Sequence, residues 1–282
     1  MRNRIATAAA FALVALAATT APAASQTPAG DRYTVPLSRP GQPVRLEVAL
    51  VFGSIDVASH AGAEVLVETM SPEDRKAHRE AERETRGPAQ GMRRLPNRSL
   101  GLVIEEEDNL VRVSSGGAPR AAHLKILVPR QTSLKLSTVN DGNISVQGVE
   151  GELEVRNTNG NVTLRDVGGS VVAHTVNGEV KVTLSRLDPK ANLSFATLNG
   201  DVDVTLPAET RGALRMRSDN GEIFTDFDVQ LTRERARVEE QRAGGRYRLE
   251  VEQEVRGTIN GGGAEIQVRT FNGNIYLRKG AG

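Results

Sequence analysis

A six-residue phrase returns along the second half of this chain: Thr175-Val176-Asn177-Gly178-Glu179-Val180, Thr197-Leu198-Asn199-Gly200-Asp201-Val202 and Thr270-Phe271-Asn272-Gly273-Asn274-Ile275. Looser copies surround Gly142, Gly160 and Gly221. The first two glycine spacings are 18 residues and the next two are 22 and 21. A short, nearly fixed period marks a repeat architecture, in which each unit buries its apolar face only against its neighbours.

Aligned on these glycines, the segments alternate with period two, the strand signature. Two residues after Gly stand Ile144, Val162, Val180, Val202, Ile223 and Ile275. Two further on stand Val146, Leu164, Val182, Val204, Thr225 and Leu277. Seven and five residues before Gly stand Leu153/Val155, Val171/Ala173, Leu193/Phe195, Leu214/Met216 and Ile266/Val268. Each repeat thus carries two short strands that send alternate aliphatics to one interior. Three before Gly stand Asn157, Thr175, Thr197, Ser218 and Thr270, a polar row placed to bond the neighbouring coil. The Asn-Gly step suits a tight corner, where positive φ is needed and Asn and Gly tolerate it best. Glycines at the opposite corners (148, 151, 168, 169) complete a flattened coil. The fold class is all-β: a β-solenoid, or β-helix-like stack, of two-strand coils with Asn-Gly corners.

Residues 31–70 supply N-terminal strands and a degenerate first rung, with Leu46, Val48, Leu50, Ile55 and Val57 at the repeat offsets around Gly53. Residues 71–100, in which Arg75 to Arg86 is almost wholly charged, lack an apolar stripe and read as a mobile loop. Residues 101–282 form the solenoid proper, opening with a hairpin around Asp108-Asn109. A long β-hairpin arm at 229–255, turning at Gly244-Gly245, is inserted before the last repeat. Residues 31–282 therefore form a single domain.

Residues 1–25 read as an export signal: Arg2 and Arg4, an apolar stretch from Ala8 to Ala18, then Ala21-Pro22-Ala23. No later apolar run is long enough to span a bilayer as a helix. The expected location is the periplasm, the outer surface or the medium. With no cysteine, disulfides and thiolate zinc are excluded. The formal charge is +1, and losing Arg2 and Arg4 with the signal leaves −1, which offers no pull toward nucleic acid.

The strings Val128-Pro129-Arg130, Asn140-Asp141-Gly142-Asn143-Ile144, Asn177-Gly178-Glu179-Val180, Asn260-Gly261-Gly262-Gly263 and Thr270-Phe271-Asn272-Gly273-Asn274-Ile275-Tyr276 resemble the putative-adhesin, β-strand-repeat family of exported bacterial proteins. The resemblance spans roughly residues 33 to 280. It implies a β-solenoid-like envelope or secreted protein and brings no catalytic residues with it.

Candidate chemistry lies on outward rows. Four before Gly stand Arg156, His174, Ala196, Arg217 and Arg269, a mostly basic stripe fit for an anionic glycan or headgroup. A solvated face blunted by Glu154 is the preferred reading of that row. Three after Gly, Phe224 and Tyr276 become neighbours if the arm loops out, and such a pair can stack on a sugar ring. The preferred reading is that Tyr247 or Leu249 of the arm covers them. Asn161, Glu179, Asp201, Asp203 and Glu222 follow the corners, but the Gly-Gly-x-Gly-x-Asp calcium motif is missing and the four histidines lack ligand spacing, so no metal or other cofactor is assigned. Asp203 beside Lys181 is the nearest approach to an acid/base pair, and it lacks a third partner.

The leading reading is an exported, non-enzymatic scaffold or binding module whose partner is a cell-surface glycan or another envelope protein. A polysaccharide-acting β-helix enzyme and an envelope-stress complex component are the alternatives. Exposed strand edges at the solenoid ends leave room for self-association.

Overall fold

The computed structural model describes residues 32–69, 101–115, 121–140, 142–232, 237–243, 246–252 and 254–280. Residues 1–25, read above as an export signal, residues 71–100, read as a charged loop, and the Gly244-Gly245 step lie outside these residues. Every described element is a strand, so no described helix is available to cross a membrane.

The chain opens with β1 (Arg32–Val35), β2 (Val44–Phe52), β3 (Ile55–His60) and β4 (Val65–Thr69). The hairpin β5 (Leu102–Glu107) and β6 (Leu110–Ser115) follows, turning through Asp108 and Asn109 at φ 52° and 63°, the twist-matched geometry of a two-residue turn. Then come β7 (Leu124–Pro129) and the paired strands of successive coils: β8 (Thr132–Asn140) with β9 (Ile144–Gln147), β10 (Leu153–Asn157) with β11 (Val162–Gly168), β12 (Val171–His174) with β13 (Val180–Arg186), β14 (Asn192–Asn199) with β15 (Val202–Leu206), and β16 (Gly212–Asn220) with β17 (Ile223–Thr225). The insertion contributes β18 (Val229–Leu231), the antiparallel pair β19 (Arg237–Ala243) and β20 (Arg246–Glu252), and β21 (Val255–Ile259). The last coil is β22 (Ala264–Asn272) with β23 (Ile275–Lys279).

Apart from β19 and β20, which form a two-stranded sheet of their own, these strands stack into a ten-stranded first sheet and an eleven-stranded second sheet, one on each side of the flattened coil. Between them lies the core the repeat alignment requires. Val162, Leu164, Val171, Ala173, Val180, Val182, Leu193, Phe195, Val202 and Val204 are wholly buried. Each such valine, leucine or phenylalanine contributes roughly 1.5–3 kcal/mol of burial. The exception is the coil around Gly221, where Ile223 is half-buried and Thr225 exposed because β17 is a sheet edge.

Stacking order departs from chain order at both ends. The last coil, β22–β23, lies between β14–β15 and β16–β17. The first, β2–β3, lies between β8–β9 and the strands β6 and β7. Antiparallel strands close the parallel stack at three of its four sheet ends: β4 and β1, β5, and β21 with β18. The fourth end is the three-residue β17. The edges are thus shorter and better closed than the sequence suggests.

The repeat corner is held by three stacked ladders. Thr175, Thr197, Thr270 and Ser218, three before Gly, and Thr138, their register equivalent four before Gly142, each donate their hydroxyl to the glycine carbonyl of the adjacent coil at 2.8–3.0 Å. Asparagine side chains form the second ladder, in the stacking order Asn140, Asn159, Asn177, Asn199, Asn272, Asn220, with amide-to-carbonyl bonds of 2.7–3.0 Å. The third runs one residue after Gly, where Asn143, Asn161, Asp201 and Asn274 accept backbone N–H groups from the next coil.

The corner asparagines do not adopt positive φ, contrary to the sequence expectation. They are there for the amide ladder, and the glycine alone carries the conformation. Gly178 sits at φ 153°, and a Cβ there would stand 2.3 Å from the carbonyl oxygen of Gly160. Glycine is required because neighbouring coils touch backbone to backbone.

Two stability outcomes follow from this corner. Gly178→Ala should destabilise by roughly 2–4 kcal/mol, read in denaturant melts, since the clash is with backbone that cannot swing away. Asn157 replaces the usual hydroxyl three before Gly; its amide donates to the Gly142 carbonyl at 2.9 Å, but its buried Oδ1 has no partner. Asn157→Thr should therefore raise stability by about 1 kcal/mol, measured the same way.

Candidate binding surface

Core-facing side chains alternate with outward ones, so register alone places the outward rows. On the second sheet, the row four before Gly runs in space as Arg156, His174, Ala196, Arg269, Arg217. Rungs repeat every ~4.8 Å, so these are direct neighbours. The stripe is less basic than its composition suggests. Arg156 pairs with Glu154, Arg217 bonds Asp219 at 2.7 Å, and Ala196 interrupts the middle. Arg269 has no ion pair among the described residues. His174 is half-buried, with Nε2 3.4 Å from the Ser194 hydroxyl. Burial, then the Arg156 charge, lowers its pKa below the usual 6.5, with Glu154 opposing.

The same row continues toward the N-terminal end as Ser137, Ala49 and Ser114. Small side chains there leave a cavity of about 250 Å³ rimmed by Glu47, Glu105, Glu154, Arg112, Lys135 and Arg156. Sequence reading missed it, although carrying the same offset back to Gly53 places Ala49 in the row. The rim is charge-balanced, with Arg112 3.5 Å from Glu47.

On the first sheet, the row three after Gly ends with Lys181, Asp203, Tyr276 and Phe224. Phe224 and Tyr276 stack at 5.3 Å with 9° between their planes. The Arg278 guanidinium lies 5.2 Å from the Tyr276 ring centre and bonds Asp203 at 2.9 Å. Asp203 is on the β15 side of β23, so the guanidinium takes the Tyr276 face opposite Phe224. Phe224, on the edge strand, is left 45% exposed. Coverage by Tyr247 or Leu249 concerns side chains outside the described residues.

The remaining candidates are structural in this geometry. Asp203 is engaged by Arg278 beside Lys181. Asn161 and Asp201 spend a side-chain oxygen on the corner ladder. His60 Nε2 lies 2.8 Å from the Glu64 carbonyl and His123 Nδ1 2.9 Å from Ser54 Oγ; His78 lies outside the described residues. Among the described residues, no three His, Asp or Glu side chains converge as a metal site. On the first sheet's outer face, burial raises the pKa of Asp56, with Lys125 opposing.

The coil geometry and the sequence now meet a known family model, which matches residues 131–278. The chain belongs to the Toastrack DUF4097 family. The match covers the regular coils from β8 to β23, and β2–β3 continue the same Toastrack coil outside it. No curated protein sequence matches the chain. Two solved structures are similar. One is a "putative cell adhesion protein" from Clostridium sporogenes, at 12% identity and TM-score 0.46, covering 89% of this chain and 99% of that one. The other is a "putative adhesin" from Bacteroides fragilis, at 8% identity and TM-score 0.31, covering 88% and 96%.

The His174 environment makes a pH-dependent prediction. Its folded pKa lies below its unfolded value, so the stability tied to its neutral form is present above ~6.5 and is lost as pH falls through the folded pKa. An NMR titration should show the His174 ring protonating below pH 6.5, and His174→Gln should flatten the mildly acidic limb of the stability profile.

Proposed function

We propose that this Toastrack protein is an exported, non-enzymatic binding module of the bacterial envelope that holds a cell-surface glycan on its outer strand faces. Export is supported by the basic start, apolar stretch and small-residue motif of residues 1–25. The observation that carries the binding reading is the terminal aromatic stack. Tyr276 has Arg278 on one face and Phe224 on the other, and Phe224 stays 45% exposed at the sheet edge. A flat, braced ring with an open side suits the apolar face of a sugar. The Tyr276 hydroxyl and the Asn274 amide that bonds it stand one rung away as hydrogen-bonding groups.

The basic row of Arg156, His174, Arg269 and Arg217 is the secondary contact, for acidic substituents of such a polymer. Its arginines are partly neutralised by Glu154 and Asp219, so it adds selectivity more than affinity. Asp203 is bonded to Arg278, which favours binding over acid/base chemistry.

A glycan array probed with the full exported chain tests this. Phe224→Ala should weaken binding to the best glycan roughly tenfold, the loss of one stacking contact. Melting should be nearly unchanged. Equal binding by wild type and Phe224→Ala would overturn the site, and glycan turnover abolished by Asp203→Ala would overturn the non-enzymatic reading.

A further inference from the structure

One outward row is apolar along most of the solenoid. The residue two before each corner Gly is Val176, Leu198 and Phe271 in the best repeats. Ladder register extends the row in space as Val51, Val139, Thr158, Val176, Leu198, Phe271, ending at Asp219. Of the nine exposed large hydrophobics among the described residues, five lie in this row: Val51 52%, Val139 42%, Val176 38%, Leu198 46% and Phe271 45%. The ridge runs ~24 Å at one side chain per ~4.8 Å rung. Coil packing does not require these side chains, because the corner is already held by hydroxyl, asparagine and glycine contacts. A contiguous apolar strip on a surface marks a contact site.

The flanks of the ridge differ in charge. On the second-sheet side run Arg156, His174, Ala196, Arg269 and Arg217. On the corner side, three residues after the ridge, run Asn161, Glu179, Asp201, Asn274 and Glu222. Glu179 and Glu222 are exposed. A partner that fits must offer apolar groups at the rung spacing, with acidic groups on one side and basic on the other. A second copy of this ridge does so in one orientation. A two-fold axis parallel to the solenoid axis lays ridge on ridge, each rung at the level of its own equivalent, and sets the arginine flank of one copy against the acidic flank of the other. Arg217 then meets Glu222 as the one arginine–acid match, His174 meets Glu179, and Arg156 and Arg269 meet the amides of Asn161 and Asn274. A two-fold axis perpendicular to the ridge would set arginine against arginine. We infer that the ridge from Val51 to Phe271 is a side-by-side dimer interface, with the two solenoids parallel.

This contact is distinct from strand pairing at the solenoid ends and from the Phe224–Tyr276 stack, although its arginine flank is the row assigned above as the secondary glycan contact. Five half-open side chains fall short of the ~800 Å² per partner of a standard interface, so the flanks must join the contact and the dimer is of modest affinity.

The chain has no cysteine, so a single engineered thiol reports without background. In sedimentation, the full chain should pass from monomer to dimer as concentration rises. Leu198→Asp should remain monomeric with little change in melting, since Leu198 is 46% exposed. On mild oxidation, Leu198→Cys should link to itself, and a mixture of Val51→Cys and Phe271→Cys should yield Val51–Val51 and Phe271–Phe271 dimers. A monomer at the highest soluble concentration, or preferential Val51–Phe271 linkage, would overturn the inference.

Discussion

The backbone-to-backbone approach at the Asn-Gly corner governs the rest of this molecule. From Gly142 to Gly273, each corner glycine stands so close to the glycine carbonyl of the adjacent coil that a methyl group cannot be added. That proximity brings the Thr hydroxyl within reach of the same carbonyl and stacks the asparagine amides head to tail. Once coils are locked at this spacing, valines and leucines two and four residues away superimpose, and the core follows. Hydrophobic burial supplies most of the driving force, but the corner sets the register, and a slip of one residue would turn every core side chain to solvent.

Much of this was legible because the period fixes geometry. Once Gly142, Gly160, Gly178 and Gly200 are aligned, the buried positions follow from strand alternation. The Thr175 and Thr197 ladder was readable too, since a hydroxyl recurring at one offset needs a recurring acceptor. The role of the corner asparagines was not: propensity suggests positive φ, whereas their ladder exists only between coils. Stacking order was equally hidden. Nothing local in Ala264–Asn272 says that it inserts beside Asn192–Asn199 rather than outside Gly212–Asn220. The Phe224–Tyr276 contact was legible because those coils are neighbours in either order. The reach of Arg278 across to Asp203 was not, since it depends on the order adopted.

The outer surface carries the chemistry because the interior has none to spare. The inward positions are nearly all aliphatic, and the buried polar groups serve the corners. Variation is thus confined to outward rows, each a line of side chains at one spacing. One row presents arginines and a histidine, another aliphatics, and a third ends in stacked aromatics. A solenoid of this kind suits extended, repetitive partners, because its own surface is extended and repetitive.

The intercalated end coils determine when the chain can become a protein. A solenoid wound in sequence order can add finished layers as they are synthesised. Here Gly212–Asn220 has no parallel neighbour until Ala264–Asn272 arrives, and at the other end Val44–Phe52 waits for Leu110–Ser115 on one side and Thr132–Asn140 on the other. The regular coils from Leu153 to Leu206 depend least on distant segments, so they are the natural nucleus, with each outer pair clamped by a strand from near a chain end. The coils nearest the chain ends, β2–β3 and β22–β23, therefore cannot leave without breaking contacts on two flanks at once, and fraying, the usual weakness of linear repeat stacks, meets a bolt at both chain ends.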